Sequence, residues 1–230
     1  ITNVESRAVY DAAKSAGARA VYLAEEPVLG ALGIHRPVDE AVGSVVVDIG
    51  GGTTDIAVLS SGGVVRSKNV KIAGDTLNNA IITYLRDEFK LLVGEKTAEA
   101  VKIAIGSVVQ KDFMEAEVRG RDLLTGLPRE VIVTDTDVRE AILPSVLHIV
   151  DAVREVLETT PPEILADVLK RGIVLVGGGA LIQGLDTLLS ESIGIPVYVA
   201  EDPLTAVARG TGVILENLEK YQDILIDAEY

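Results

Sequence analysis

The chain has 230 residues, of which 48% are hydrophobic and 3% aromatic, with no cysteine and a formal net charge of −14. This charge argues against a nucleic-acid partner, which clustered Lys and Arg would bind, and the lack of Cys excludes a disulfide framework or a thiolate metal site. No apolar run reaches the roughly 18 residues of a membrane span and the start does not resemble a signal peptide, so we expect a soluble, internal protein with a Val-, Ile- and Leu-rich core that favours buried parallel sheet.

The opening segment has a helical pattern. Asn3 is a plausible helix cap and Gly17 a plausible stop. Val4 and Val9 lie on the expected apolar face of this helix. A short strand is predicted next, over Ala20–Leu23.

The most informative stretch is Asp48–Asp55, which reads Asp-Ile-Gly-Gly-Gly-Thr-Thr-Asp. Strands predicted at 44–47 and 56–60 make it a hairpin, and a third strand at 64–70 extends the hairpin into an antiparallel meander. Adjacent glycines let backbone N–H groups approach a ligand that side chains would exclude, which suits a phosphate. A carboxylate on each side adds oxygens for the water shell of Mg²⁺. The stretch therefore predicts half of an ATP site.

The middle of the chain is predicted to mix helices with strands. The helices are an apolar one over 28–32, one that begins at Gly74, one capped by Thr97, a long one that Thr134 or Asp135 caps and Pro144 kinks, and a short one from Pro161 to Arg171. Strands are predicted at 116–119 and 131–133.

A second glycine run follows a continuous apolar segment. The segment 173–176 is typical of a fully covered parallel strand, and Gly177-Gly178-Gly179 separates it from a predicted helix over Ala180–Leu189. A helix N-terminus at this place would suit an anion or a nucleotide through its N–H groups and dipole. Close packing of a helix on a sheet explains the same glycines equally well. A strand at 195–199 and a helix over 204–218 complete the pattern.

Together, the two glycine runs resemble the ATPase superfamily of actin, sugar kinases and heat-shock chaperones. Further stretches narrow the resemblance to the MreB family of bacterial actin-like shape proteins. They are Ile1-Thr2, Glu25-Glu26-Pro27, 43–54, 94–99, 117–121, 177–181 and 200–205. The resemblance implies an α/β fold of the actin-like, ribonuclease-H-like ATPase class with a smaller inserted α+β subdomain.

The resemblance also implies roles for individual residues. Asp48 would hold the water shell of Mg²⁺, and Glu26 would orient the attacking water. Backbone and hydroxyl donors of Gly50, Gly51, Gly52 and Thr53 would cradle the β- and γ-phosphates. Glu99 and Lys102 would meet the ribose and adenine, and Gly178, Gly179, Ala180 and Leu181 would pack on the adenosine. Without the resemblance, Glu26 is an acid at a helix N-terminus and the pair on the later helix a surface ion pair.

The expected function is that of an ATP- and Mg²⁺-binding cytoskeletal protein. It would polymerise with itself in the cytoplasm under the inner membrane, hydrolyse ATP slowly, and guide cell-wall synthesis with membrane-anchored partners such as RodZ. Two alternatives stay open: a small-molecule kinase of the same superfamily, and a catalytically silent assembly module.

The resemblance predicts a chain truncated at its N-terminus, since the family's first phosphate loop, Asp-Leu-Gly-Thr, and its membrane-binding element are absent. Residues 1–42 would be a remnant of the first domain, and 43–202 the second domain with about 75–135 as its insertion. Residues 203–230 would return to the first domain. We therefore expect impaired ATP hydrolysis and lost membrane contact for these 230 residues.

Overall fold

The computed structural model describes residues 3–110 and 113–226, without the side chain of Asn3, so the Ile1-Thr2 motif and the predicted Asn3 cap lie outside the described residues and side chains. The helices are α1 Asn3–Ser15, α2 Glu26–Gly33, α3 Gly74–Glu88, α4 Glu95–Ile105, α5 Asp135–Glu158, α6 Pro162–Arg171, α7 Leu185–Ile193 and α8 Ala206–Glu216. The strands are β1 Ser44–Ile49, β2 Thr54–Ser60, β3 Gly63–Val70, β4 Leu91–Leu92, β5 Glu115–Asp122, β6 Pro128–Thr134, β7 Ile173–Val176 and β8 Val197–Val199.

The larger sheet has the strand order β3-β2-β1-β7-β8. β1 pairs antiparallel with β2, from Ser44 opposite Leu59 to Ile49 opposite Thr54, and β2 pairs antiparallel with β3. β1 and β7 are parallel. The predicted meander and the predicted parallel strand are therefore both confirmed. Because β1 and β7 are parallel, the two glycine runs that follow them lie at the same end of the sheet.

Helices cover both faces of this sheet, which is why β1 is buried along its whole length. Val45, Val47 and Ile49 belong to the larger core, together with apolar residues of α3, α5 and α7. Val46 points into the second core, which α2 and α8 cover. Alternate side chains of one strand thus anchor the two layers.

The layer formed by α2 and α8 is built from segments that flank, in the sequence, the residues 43–202 predicted as a second domain. Its two helices approach backbone to backbone: a Cβ on Gly33 would lie 1.8 Å from the carbonyl oxygen of Ala206, and a Cβ on Gly210 would lie 1.9 Å from that of Leu29. Only glycine fits at both positions. α2, which begins at Glu26, therefore lies in direct backbone contact with α8.

The smaller sheet, β4-β5-β6, lies within the segment predicted as an insertion. Its long hairpin turns at Asp122, whose carboxylate accepts the N–H groups of Leu124 and Thr125 at 2.8 Å each and an N–H of Arg129 at 2.9 Å. These bonds to the ionised form, led by that of Thr125, lower the pKa of Asp122 to about 2. The turn is therefore built around a carboxylate that must stay charged.

Three predictions in the first part and the middle of the chain need correction. α1 forms, but its expected apolar face is not buried: Val4 is 79% exposed and Val9 56%. Ala20–Leu23 is not a strand, because Leu23 forms only an isolated bridge to Ile226. α4 begins at Glu95 after Gly94, so Thr97 is not its cap. By contrast, the predicted cap of α5 at Thr134 is confirmed; the helix continues past Pro144 to Glu158, and the kink there stays a prediction.

No helix in the ranges 3–110 and 113–226 is both long and apolar enough to cross a bilayer.

Candidate functional site

The turn between β1 and β2 comprises Gly50 to Thr53. It is closed by a hydrogen bond of 3.0 Å from the N–H of Gly50 to the carbonyl oxygen of Thr53. The N–H groups of Gly51, Gly52 and Thr53 have no acceptor in the part of the chain that the structure describes. A Cβ added to Gly52 would meet nothing within 4 Å, so the ligand side of the turn is open. Three successive free donors on bare backbone are suited to an anion.

The carbonyl side of the same turn is tied to the start of α3. The N–H groups of Gly74 and Asp75 donate to the carbonyl oxygens of Gly50 and Gly51 at 3.1 and 2.8 Å. Lys102 on α4 donates from Nζ to the carbonyl oxygen of Gly74 at 3.1 Å. Burial lowers the pKa of Lys102. The turn is thus held from behind, with its donors facing outward.

Asp48 lies at the end of β1, next to the turn, and is only 5% exposed. Its carboxylate has no hydrogen-bond donor and no ion-pair partner among the described residues. Burial, the charge of Glu26 and then the charge of Asp55 raise its pKa to about 6. A buried carboxylate without a partner is an unfavourable arrangement that a bound cation relieves. The Asp48 carboxylate therefore fits a hydrated Mg²⁺ ion, because one or two carboxylates commonly hold this ion in proteins.

On the β2 side of the turn, Thr53 and Asp55 form a hydrogen-bonded pair. Thr53 donates from Oγ1 to Oδ2 of Asp55 at 3.0 Å, and Asn69 on β3 donates from Nδ2 to Oδ1 at 2.7 Å. Both oxygens of Asp55 are used in this way. The Thr53 hydroxyl is consequently held in one orientation.

The second glycine run packs against the end of β1. Gly177 has φ 81°, and a Cβ on it would lie 2.4 Å from Oδ1 of Asp48. A Cβ on Gly179 would lie 2.2 Å from Cγ2 of Ile49. Any larger residue would push β7 and its following turn away from Asp48. Close packing is therefore one physical reason for these glycines.

The helix predicted over Ala180–Leu189 is wrong in its first half. Gly178–Leu181 form a short 3₁₀ turn, Ile182 is extended, and α7 begins at Leu185 after Gly184, which has φ 76°. The extended residue and the left-handed glycine break the helical path that the apolar spacing suggests. An α-helix N-terminus is therefore not adjacent to the glycine run.

The structure brings together Glu26, Asp48 and the turn, since the charge of Glu26, at the start of α2, acts on the pKa of Asp48. Lys102 reaches the rear of the turn through Gly74. Glu99 is exposed, one helical turn away on α4.

Four residues, 178–181, are predicted to pack on the adenosine, and two of them are exposed. Gly178 and Leu181 are exposed, whereas Gly179 and Ala180 are buried. The adenosine and ribose roles stay predictions.

Sequence reasoning missed the residues that support the turn from behind. The sequence predicts Gly74 only as a helix start and gives Asn69 no role. The spacing of Thr53 and Asp55, two residues apart where the turn passes into β2, is the available signal for the hydroxyl–carboxylate pair, because residues two apart in extended chain lie on the same side. The contacts of Asn69 and Gly74 depend on pairing between distant segments.

Comparison with known proteins shows the family of the chain. The family model described as MreB/Mbl protein matches residues 1–223. The chain is 48% identical over 221 residues to the cell shape-determining protein Mbl of Bacillus subtilis, and 50% identical over 229 residues to the cell shape-determining protein MreB of Escherichia coli. These alignments cover 96% and 99% of the chain but 66% of either relative, so the chain spans about two thirds of their length.

Solved structures show the same relationship. MreB5 of Spiroplasma citri bound to ADP superposes with a TM-score of 0.93 at 37% identity, covering 97% of this chain and 68% of that one. A MamK double helical filament has a TM-score of 0.71 at 25% identity, covering 84% of this chain and 59% of that one. The expected actin-like α/β fold is confirmed. The chain belongs to the MreB/Mbl family.

Proposed function

We propose that the chain is the nucleotide-binding part of an actin-like cytoskeletal protein that determines cell shape, and that its glycine turn holds the phosphates of ATP. The observation that carries this proposal is the row of N–H donors at Gly51, Gly52 and Thr53, which lack an acceptor among the described residues and lie beside the buried carboxylate of Asp48. The nucleotides in the MreB5 structures, ADP and AMPPNP, support it.

Each residue of the site has a defined task in this proposal. The turn binds the β- and γ-phosphates, and Asp48 accepts hydrogen bonds from the water shell of Mg²⁺. A bound Mg²⁺ ion neutralises charge on the phosphates. Glu26, exposed at the start of α2, orients the attacking water. Glu99 and Lys102 approach the ribose and the base, while Gly178 and Leu181 offer their outer surfaces to the adenosine.

For the whole protein, we propose slow ATP hydrolysis coupled to polymerisation in the cytoplasm under the inner membrane. The filaments would guide wall synthesis together with membrane-anchored partners such as RodZ. The names of the Mbl and MreB relatives and the filament formed by MamK support this proposal.

The test uses a matched pair of glycine substitutions. Gly52→Ala and Gly63→Ala both add a methyl group that meets nothing within 4 Å, so both variants should fold normally. Only Gly52 lies in the phosphate turn. The methyl group of Gly52→Ala would stand on the ligand side of the turn and keep the phosphate away from an N–H donor. Losing one hydrogen bond to a charged group, about 1.5–3 kcal/mol, should reduce ADP affinity about tenfold or more in Gly52→Ala and leave the affinity of Gly63→Ala unchanged.

Binding is measured by calorimetry, with thermal stability as a second readout, because a ligand at 100 times its Kd adds about 2.7 kcal/mol. Equal ADP affinity in the two variants, or no ADP binding by the unsubstituted chain, would contradict the proposal.

A further inference from the structure

The hydroxyl of Thr53 is already engaged. Its Oγ1 lies 3.0 Å from Oδ2 of Asp55, and an ionised carboxylate can only accept hydrogen bonds, so the hydroxyl must donate. Asn69 donates to the other oxygen of Asp55 at 2.7 Å and fixes this carboxylate in place. Only the lone pairs of Thr53 Oγ1 are left for a ligand.

A phosphate oxygen is also an acceptor, so it gains nothing from a hydroxyl whose proton is held elsewhere. Water bound to a metal ion is a donor and suits such an oxygen. The two sides of the turn therefore differ in chemistry: the N–H groups of Gly51, Gly52 and Thr53 are donors, whereas the Asp48 carboxylate and the Thr53 oxygen are acceptors. Donors fit phosphates, and acceptors fit a hydrated cation.

We infer that Asp55 is a positioning residue, which holds the Thr53 proton and so makes Thr53 a ligand for the water shell of Mg²⁺ instead of a donor to phosphate. This inference rests on the proposed nucleotide site and assigns a role to a residue that does not itself touch the nucleotide. Asn69 supports the same orientation from β3.

Asp55→Asn reverses the arrangement. The amide oxygen of the new side chain stays opposite the Asn69 donor, so its NH₂ group faces Thr53 and donates to Oγ1. The Thr53 proton is then free to reach a phosphate oxygen. Metal-free nucleotide binding should improve and its enhancement by Mg²⁺ should fall.

The experiment measures ADP affinity of the 230-residue chain by calorimetry near pH 8, once with Mg²⁺ and once with a chelator. Thr53→Val should lose about tenfold in affinity with Mg²⁺ and change less than about twofold without it, because the lost bond is to metal-bound water. Thr53→Ser, which keeps the hydroxyl, should retain the unsubstituted ratio.

The loss of the Asp55 charge would by itself also favour ADP and disfavour Mg²⁺, so the double variant decides. In the Thr53→Val background, Asp55→Asn should change the ratio of the two affinities by only the charge effect, and so by less than in the unsubstituted chain, whereas an equal change in both backgrounds would overturn the inference. A loss of metal-free affinity in Thr53→Val would also overturn it, while leaving the nucleotide site intact. Absence of ADP binding by the unsubstituted chain would overturn both proposals.

Discussion

Asp48 is the residue at which stability and the proposed function conflict. Its carboxylate is buried beside two other acids, Glu26 and Asp55, and its pKa is raised from 3.8 to about 6. The folded state therefore holds this proton more tightly than the unfolded chain does. The resulting stabilisation is fully present below about pH 4 and is lost as the pH rises to about 6.

Asp48→Asn should consequently stabilise the chain at neutral pH. We expect the free energy of unfolding at about pH 7.5 to rise by about 1–3 kcal/mol, with little change near pH 4, in urea titrations. The exposed Asp223→Asn is the control and should show no such pH dependence. An equal effect of Asp48→Asn at both pH values would contradict burial as the cause. The same variant should bind Mg²⁺-nucleotide more weakly.

At the scale of elements, the closest contact is the crossing of α2 and α8. Gly33 and Gly210 place each helix directly on backbone atoms of the other. This contact positions Glu26, at the first residue of α2, relative to the sheet that carries Asp48.

Substitution of two glycines on α8 tests this contact. Gly210→Ala would bring a methyl group to 1.9 Å from the Leu29 carbonyl oxygen, so the helices must separate, at a cost of about 3 kcal/mol or more in unfolding free energy. Gly212→Ala, in the same helix, meets nothing within 4 Å and should stabilise the chain by about 0.5–1 kcal/mol. Thermal denaturation measures both, and similar melting temperatures would show that the crossing is not rigid.

The elements also show what local pattern can and cannot predict. Unbroken apolar runs predict β1 and β7 correctly, because a strand buried on both faces is apolar along its whole length. The glycines between two such runs predict the turn between β1 and β2. The pattern failed at α1, whose apolar face has no cover within the described residues, and at Ala180, where Gly184 interrupts the apolar spacing of a helix. The position of Asp48 is predictable from its motif, but its lack of a partner is not, because that depends on which distant segments pack around the carboxylate.

At the scale of the whole molecule, the net charge of −14 is spread over a chain of 24.3 kDa. Like charges repel more in the compact state than in the unfolded chain, so this charge opposes folding.

Salt should therefore stabilise the chain. Raising the ionic strength from about 0.01 M to about 0.15 M shortens the Debye length from about 30 to about 8 Å, and we expect the melting temperature to rise. Replacing the exposed Glu115 and Glu158 by Gln changes the charge from −14 to −12 and should reduce this salt dependence. An unchanged or larger salt response in that variant would argue that specific ion binding, not repulsion, is the cause.

The hydrogen bonds between α3 and the glycine turn have a consequence for the strength of the site. The carbonyl of Gly50 and the N–H of Gly51 belong to one peptide unit, as do the carbonyl of Gly51 and the N–H of Gly52. Each carbonyl accepts from the first turn of α3, at Gly74 or Asp75, where the helix dipole is positive. A hydrogen bond at one end of a peptide unit polarises the other end. The helix therefore makes the N–H groups of Gly51 and Gly52 stronger hydrogen-bond donors without itself touching the ligand. The turn attracts anions as a helix N-terminus would, because its peptide units transmit the effect of α3.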